Sequence, residues 1–239
     1  MKQLTDFFRD KPIRDILDVA TGSGQFINAL MRIFPDARFT GVDPDKESLQ
    51  KAREKFAGKN VRFLQMGAEK LEFKPGWFDL VSISNGLHHL PQMKTSLVEM
   101  KRVLKPDGWL VISEHTSDNL NPAQENQKFY HHLKSYADRL NGTFHHKTWT
   151  RQEILGMIQQ NGIRIFLRFD YNNNRSQINK TEDIDFWVNR LKAITDTLKD
   201  NPVYPELVQR IGEFRQRIEK DGLQPVTNIV VVGKFLPDS

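Results

Sequence analysis

The sequence contains no cysteine. Disulfides, thiolate metal sites and any mechanism built on a cysteine nucleophile are excluded for these residues. Also lacking is a run of the ~18 uninterrupted apolar residues that a membrane span requires. The opening stretch from Met1 to Lys11 carries Asp6 and Asp10 and has no secretory-signal pattern. A soluble, cytoplasmic protein is the expectation. No basic tail or Arg-rich run accompanies the formal net charge of +5 and the pI near 9.3. Cations instead alternate with acids, as in "DPDKESLQKAREKF" and "EFRQRIEKD", the signature of solvated helix faces, so a dedicated nucleic-acid surface is not expected. Internal repeats and low-complexity segments are absent, and the most loop-like stretch is 171–177, "YNNNRSQ".

What the chain does have is 239 residues with 38% hydrophobic and 10% aromatic content, enough for one substantial core. Short apolar runs alternate with longer amphipathic segments, which predicts a parallel α/β sheet with helices on both faces. Strands are expected at 13–20, 38–43, 61–66, 78–84 and 109–115, the fourth nearly all apolar and therefore central. Helices are expected at 23–34, at "PDKESLQKAREKF" and at "TSLVEMKRVL", the last broken by "KPDG". A helix over 121–142 places Phe129, Leu133, Tyr136 and Leu140 on one stripe. The next helix opens on the capping box Thr150-x-x-Glu153 and stops at Gly162, before a sixth strand at 163–171. Before the seventh, at 227–235, come two more amphipathic helices. One carries Ile184, Trp187, Val188, Leu191, Ile194 and Leu198; the other opens at Pro205 and carries Tyr204, Leu207, Val208, Ile211, Phe214 and Ile218. The expected organisation is a single domain over 1–239 with a helical lid segment at 117–150 and a helical insertion at 172–224, serving as lid or dimer contact.

The stretch "ILDVATGSGQF" (16–26) runs a strand into a Gly-rich turn and then a helix. That sequence of elements gathers backbone N–H groups and a helix N-terminus at one point. Ile27 stands where a dinucleotide fingerprint needs a third small residue, and no Gly-Lys-Ser/Thr follows, so neither a NAD site nor a P-loop fits. A better fit comes from Asp18, Gly22 and Gly24 together with Asp43 at the end of the second strand, where a carboxylate can accept both hydroxyls of an adenosine ribose. The glycines admit a ligand close to the backbone, and the helix start at 23–26 favours a carboxylate group.

With "LDVATGSG", "GVDPD", "FDLVSISNGLHHL" and "RVLKPDGWLVISEH" in order over roughly 13–116, the chain resembles the class I S-adenosylmethionine-dependent methyltransferases, specifically the small-molecule, methyltransferase type 11-like group. The resemblance implies a Rossmann-like seven-stranded sheet ordered 3-2-1-4-5-7-6 with strand 7 antiparallel. It implies S-adenosyl-L-methionine as cofactor, S-adenosyl-L-homocysteine as product, Asp18 with the Gly turn at the methionine moiety, Asp43 with Pro44 at the ribose, and Asn85 and Gly86 lining the site. Ala20 stands where the family usually has glycine. Gly67 stands where the family often has an aspartate for the adenine amine, which leaves the Ala68 amide or Glu69 for that contact.

Methyl transfer from a sulfonium needs an aligned acceptor and, for some acceptors, a base. His115, after the fifth strand, is the candidate general base, with Glu114 and Tyr130 behind it. His88 and His89 are expected to be structural, and the doublets 131/132 and 145/146 to be exposed lid histidines; no metal site is expected. Phe129, Tyr136 and Trp149 either line an acceptor pocket or pack the lid, while Trp187 and Tyr204 are expected in the core of the insertion. "NGLHHL" is not the Asn/Asp-Pro-Pro-aromatic signature of nucleobase amino methylation, and the missing cysteine excludes covalent carbon-5 cytosine chemistry. The expected function is methyl transfer to a small-molecule acceptor, on O, N or C, by a monomer or homodimer. A nucleic-acid or protein methyltransferase, or a cofactor-binding subunit without turnover, stands as the alternative.

Overall fold

A computed structural model describes residues 1–172, 178 and 180–237; the loop-like stretch at 171–177 lies mostly outside them. The chain forms two compact units, one of Met1–Glu114, Ile154–Tyr171 and Ile229–Ser239, the other of His115–Glu153 and Asn172–Asn228. Segments 117–150 and 172–224 lie in the second.

The first unit is built on a seven-stranded mixed sheet of order β3-β2-β1-β4-β5-β7-β6. Its strands are β1 (Asp15–Val19), β2 (Arg38–Asp43), β3 (Val61–Gln65), β4 (Phe78–Ser84), β5 (Leu104–His115), β6 (Ile163–Tyr171) and β7 (Asn228–Phe235). β1 pairs in parallel with β2 and β4, and β4 with β5. β7 runs against β6: the amide of Leu236, just past β7, donates to the carbonyl of Gly162, just before β6, at 2.7 Å. The near-continuous burial of β1 and β4 follows from their central places, with both faces covered.

The helices associated with this sheet are α1 (Lys2–Phe8), α2 (Gln25–Leu30), α3 (Lys46–Lys55), α4 (Met93–Val103) and α6 (Arg151–Gln160). α3 is capped by Asp45, whose carboxylate accepts from the amides of Glu47 and Ser48. α1 was not anticipated by the sequence reading. It buries Leu4 and Phe8, and Phe7 and Phe8 meet Trp109 edge-on with ring centroids 5.0 and 5.9 Å apart.

Two expectations need correction. "KPDG" does not separate a helix from a strand: β5 already pairs at Leu104 with Phe78, then again at Trp109 with Leu80, so the Lys-Pro-Asp-Gly segment is an irregularity inside one long strand. α2 is only six residues, because Gly24 in the left-handed region serves as its N-cap and the chain passes from Met31 into turns.

The second unit contains α5 (Pro122–Leu140), α7 (Thr181–Thr195) and α8 (Tyr204–Asp221). Their apolar faces meet in a core of Leu133, Leu191, Leu207 and Phe214, all fully buried. On α5 the buried face is Tyr130, Leu133 and Ala137, rotated from the expected stripe, so that Phe129, Tyr136 and Leu140 sit at its margin. On α8 the expected core residue Val208 is 48% exposed. Among the described residues, no helix is long and apolar enough to cross a membrane.

Candidate functional site

Asp18, Ala20, Gly22, Gly24, Asp43, Asn85 and Gly86 gather where β1, β2 and β4 end. Strand pairing makes this unavoidable, because Asp18 lies beside Gly41 on one side and Ser82 on the other. The carboxylate of Asp43 turns back to the Gly turn: one oxygen accepts from the Gly22 amide at 2.8 Å, the other from the Asp45 amide at 2.9 Å. Each oxygen keeps a lone pair for a further donor. Burial holds the Asp43 carboxyl above its ordinary range, against the opposing pull of these backbone donors.

Asp18 does not face outward. It is 1% exposed, and its oxygens accept from Thr21 Oγ1 at 2.7 Å and Ser82 Oγ at 2.6 Å. Desolvation pushes its carboxyl up to about 6, against the lowering effect of both hydroxyls and with a smaller upward contribution from Asp43. The residue therefore braces the turn from below, tying β1 to β4 and to Thr21. Thr21 and Ser82 are site residues that the sequence reading missed; the available signal was Ser82, flanked by Val81 and Ile83 in the central strand "FDLVSIS".

The backbone above Asp18 is strained where a ligand would approach. Ala20 and Asn85, at the ends of β1 and β4, both adopt left-handed conformations, φ +52° and +50°, which non-glycine residues hold at a cost and most often at functional sites. A Cβ on Gly86 would stand 2.8 Å from the Ala20 Cβ, so the two turns touch backbone to side chain. Gly22, φ +51°, has nothing within 4 Å of the place its Cβ would occupy, which leaves a cradle open beside the Asp43 carboxylate. A Cβ on Gly24 would instead strike Phe56, which makes that glycine a packing requirement.

Farther along the same sheet edge, Pro44 is exposed and its carbonyl accepts from Gln65 Nε2 at 3.0 Å. Ala68 is buried, and the Glu69 carboxylate lies over Gly67, 2.8 Å from where a Cβ would be. Glu69 thus brings an acid to the place where Gly67 offers none. After β4, the buried Glu114 accepts from the Leu87 amide at 2.9 Å and pairs with His88 Nδ1 at 2.8 Å. This pair ties His88 and the turn after β4 to the end of β5.

His115 ends β5, half-buried, with its ring edge-on to His131 at 6.2 Å. The expectation of exposed lid histidines is corrected. His145 is buried, its Nδ1 paired with Asp138 Oδ2 at 2.6 Å and its Nε2 3.1 Å from His131 Nε2, while His131 and His132 are half-buried and only His146 is exposed. Asp138, which no sequence signal had marked, anchors this row and also pairs with Lys134.

The sheet order, the antiparallel last strand and the Gly turn at the ends of β1, β2 and β4 define the class I S-adenosylmethionine-dependent methyltransferase fold. Residues 17–112 match the family model described as a methyltransferase domain. It is 38% identical over 104 residues to the ubiquinone/menaquinone biosynthesis C-methyltransferase UbiE of Stutzerimonas stutzeri, covering 41% of each chain. It is 37% identical over 106 residues to the demethylmenaquinone methyltransferase of Staphylococcus aureus, covering 44% of each. The chain thus matches less than half the length of these curated relatives. Among solved structures, the YcgJ protein of Bacillus subtilis aligns over 99% of this chain and 98% of its own, with a TM-score of 0.60 and 20% identity; at that identity the likeness concerns the fold.

Proposed function

We propose that the protein binds S-adenosyl-L-methionine and transfers its methyl group to a small-molecule acceptor. The observation that carries this reading is the open cradle at Gly22 beside the Asp43 carboxylate, flanked by the left-handed turns at Ala20 and Asn85. Asp43 would accept the ribose hydroxyls, with Pro44 beside it. Gly22 would admit the methionine portion, on the turn that Asp18 braces and that Ala20, Gly24 and Gly86 shape by their close packing, and Asn85 would line the site. Ala68 and Glu69, next to Gly67, would take the adenine amine. When bound, the cofactor supplies a methyl group on a sulfonium, already activated toward a nucleophile. The protein's task is then alignment and exclusion of water.

His115 is proposed as the general base that takes the acceptor's proton. Its place at the end of β5, with its ring edge-on to His131 of the Asp138–His145–His131 row, supports this reading. His115→Ala is expected to lower turnover with little change in cofactor affinity. The acceptor class is supported by the small-molecule quinone methylations that the relatives' names describe. The deciding experiment incubates the protein with methyl-labelled cofactor and cell extract. Label entering the small-molecule fraction supports the proposal; label in nucleic acid or protein, or no turnover despite cofactor binding, overturns it.

A further inference from the structure

The second unit contains a concave site that the methyl-transfer reading does not use. A cavity of about 300 Å³ opens between α5 and α8, lined by His132, Tyr136, Arg139, Lys147, Glu206 and Arg210. Three of these side chains are permanent cations and one is a carboxylate, so the lining has a net charge of +2 with His132 neutral.

The cations are only partly engaged. Arg139 directs Nη1 to Ser135 Oγ at 3.3 Å and to the His145 carbonyl at 2.7 Å. Arg210 reaches Glu206 at 3.9 Å, too long for a direct hydrogen bond, and its guanidinium lies over the Phe129 ring at 5.4 Å. Among the described residues Lys147 has no carboxylate within ion-pair distance.

His132 reports the potential of the site. Its Nε2 meets Thr148 Oγ1 at 2.8 Å. Its pKa is pushed down to about 4, first by burial and then by the charges of Lys147, Lys128 and Arg139, against which Glu125 is the opposing charge. Burial is the larger cause, but the added push from Lys147, Lys128 and Arg139 shows that cations surround the pocket, which favours an anion there.

From this cavity and the placement of its charges we propose that the α5–α8 pocket is a binding site for a small organic anion, a phosphate or carboxylate monoanion or dianion. Arg210 and Lys147 are its principal charge partners, and Tyr136 is a wall for the ligand's carbon portion. The guanidinium of Arg210 supplies paired donors suited to a planar carboxylate or two phosphate oxygens, and Lys147, in the same lining, adds a point charge. Glu206 works against the ligand. It sets the strength of the site, because an arriving anion must displace its weak hold on Arg210. The site requires neither the cofactor nor the methyl acceptor, so it stands or falls independently of the proposed reaction.

The test uses the full chain with inorganic phosphate and phenyl phosphate as probes. Binding is followed by calorimetry, and the His132 ring is followed by NMR as pH is varied. Saturable binding of both is expected, tighter for phenyl phosphate, with the His132 titration moving to higher pH when the site is filled. Lys147→Gln should weaken binding about tenfold, or ~1.4 kcal/mol. Glu206→Gln should tighten it several-fold, a gain that a misfolded variant would not produce. Both positions are exposed and outside the helical core. S-adenosylhomocysteine affinity serves as the control and should not change in either variant. Absence of saturable binding overturns the proposal. So does binding that neither substitution alters, or that leaves the His132 titration where it was, since the anion would then sit elsewhere.

Discussion

At the scale of single residues, the candidate site is held by side chains whose work is done facing inward. Asp18 is the clearest case: its carboxyl, raised to about 6 by burial, is braced by Thr21 and Ser82. An unfolded aspartate ionises near pH 4, so between about pH 4 and 6 the unfolded chain has lost a proton that the folded chain keeps. The contribution of this group is complete below about pH 4 and is lost as pH rises through about 6. The stability difference between the wild type and Asp18→Asn should therefore shift against the wild type across that window, by at most ~3 kcal/mol. Urea titrations at several pH values measure it, and a pH-independent difference would refute the assignment. Gly86→Ala drives a methyl group into Ala20 and Ile83 and should cost roughly 1–3 kcal/mol of stability, read from the unfolding midpoint. Asp43→Ala should weaken S-adenosylhomocysteine binding by roughly 2–4 kcal/mol, since charge-assisted hydrogen bonds in a half-buried site are lost. Unchanged affinity in a folded variant would remove Asp43 from the ribose.

At the scale of elements, capping chemistry written in the sequence is realised as hydrogen bonds. The Thr150–Glu153 box closes in both directions at the start of α6, with Thr150 N to Glu153 Oε2 at 2.7 Å and Glu153 N to Thr150 Oγ1 at 3.2 Å. A second box, Asn121 with Gln124, starts α5 ahead of Pro122. Asn121 also donates to Gln224 Oε1 at 2.8 Å, so Asn121→Ala removes a cap and a tie to the segment after α8. The expected loss is about 1–2 kcal/mol, measurable as a lowered thermal midpoint; no change would mean that the cap is replaced by water at no cost. Helix phase was harder to read. The stripe on α5 was displaced because Phe129, Tyr136 and Leu140 are apolar on a flank that also borders polar groups, and periodicity cannot tell a core face from its margin.

At the scale of the whole molecule, the chain divides into a sheet-based unit and a helical one, and every group assigned to the cofactor belongs to the first. Phe214, fully buried among α5, α7 and α8, anchors the second. Phe214→Ala should destabilise that unit by ~3–5 kcal/mol while S-adenosylhomocysteine affinity stays within about tenfold, or ~1.4 kcal/mol. A parallel collapse of binding would show that the cofactor groups depend on the helical unit.

The alternating strands and helices and the meeting of Asp18, Gly22 and Asp43 were legible in the sequence by itself, while the strand order and the place of Gly86 followed from the family resemblance that its motifs carry. Strands, glycine turns and strand-end carboxylates are local patterns, and parallel pairing then leaves one place for their ends to meet. α1 escaped notice because seven residues carry too little periodicity to be separated from a loop. Only the tertiary structure decided the inward role of Asp18, the left-handed turn at Asn85, the Asp138–His145–His131 row and the cationic cavity between α5 and α8. Each joins residues far apart along the chain, or turns on backbone angles and side-chain directions. Residue identity specifies what a group can bond to; packing alone specifies which partner reaches it.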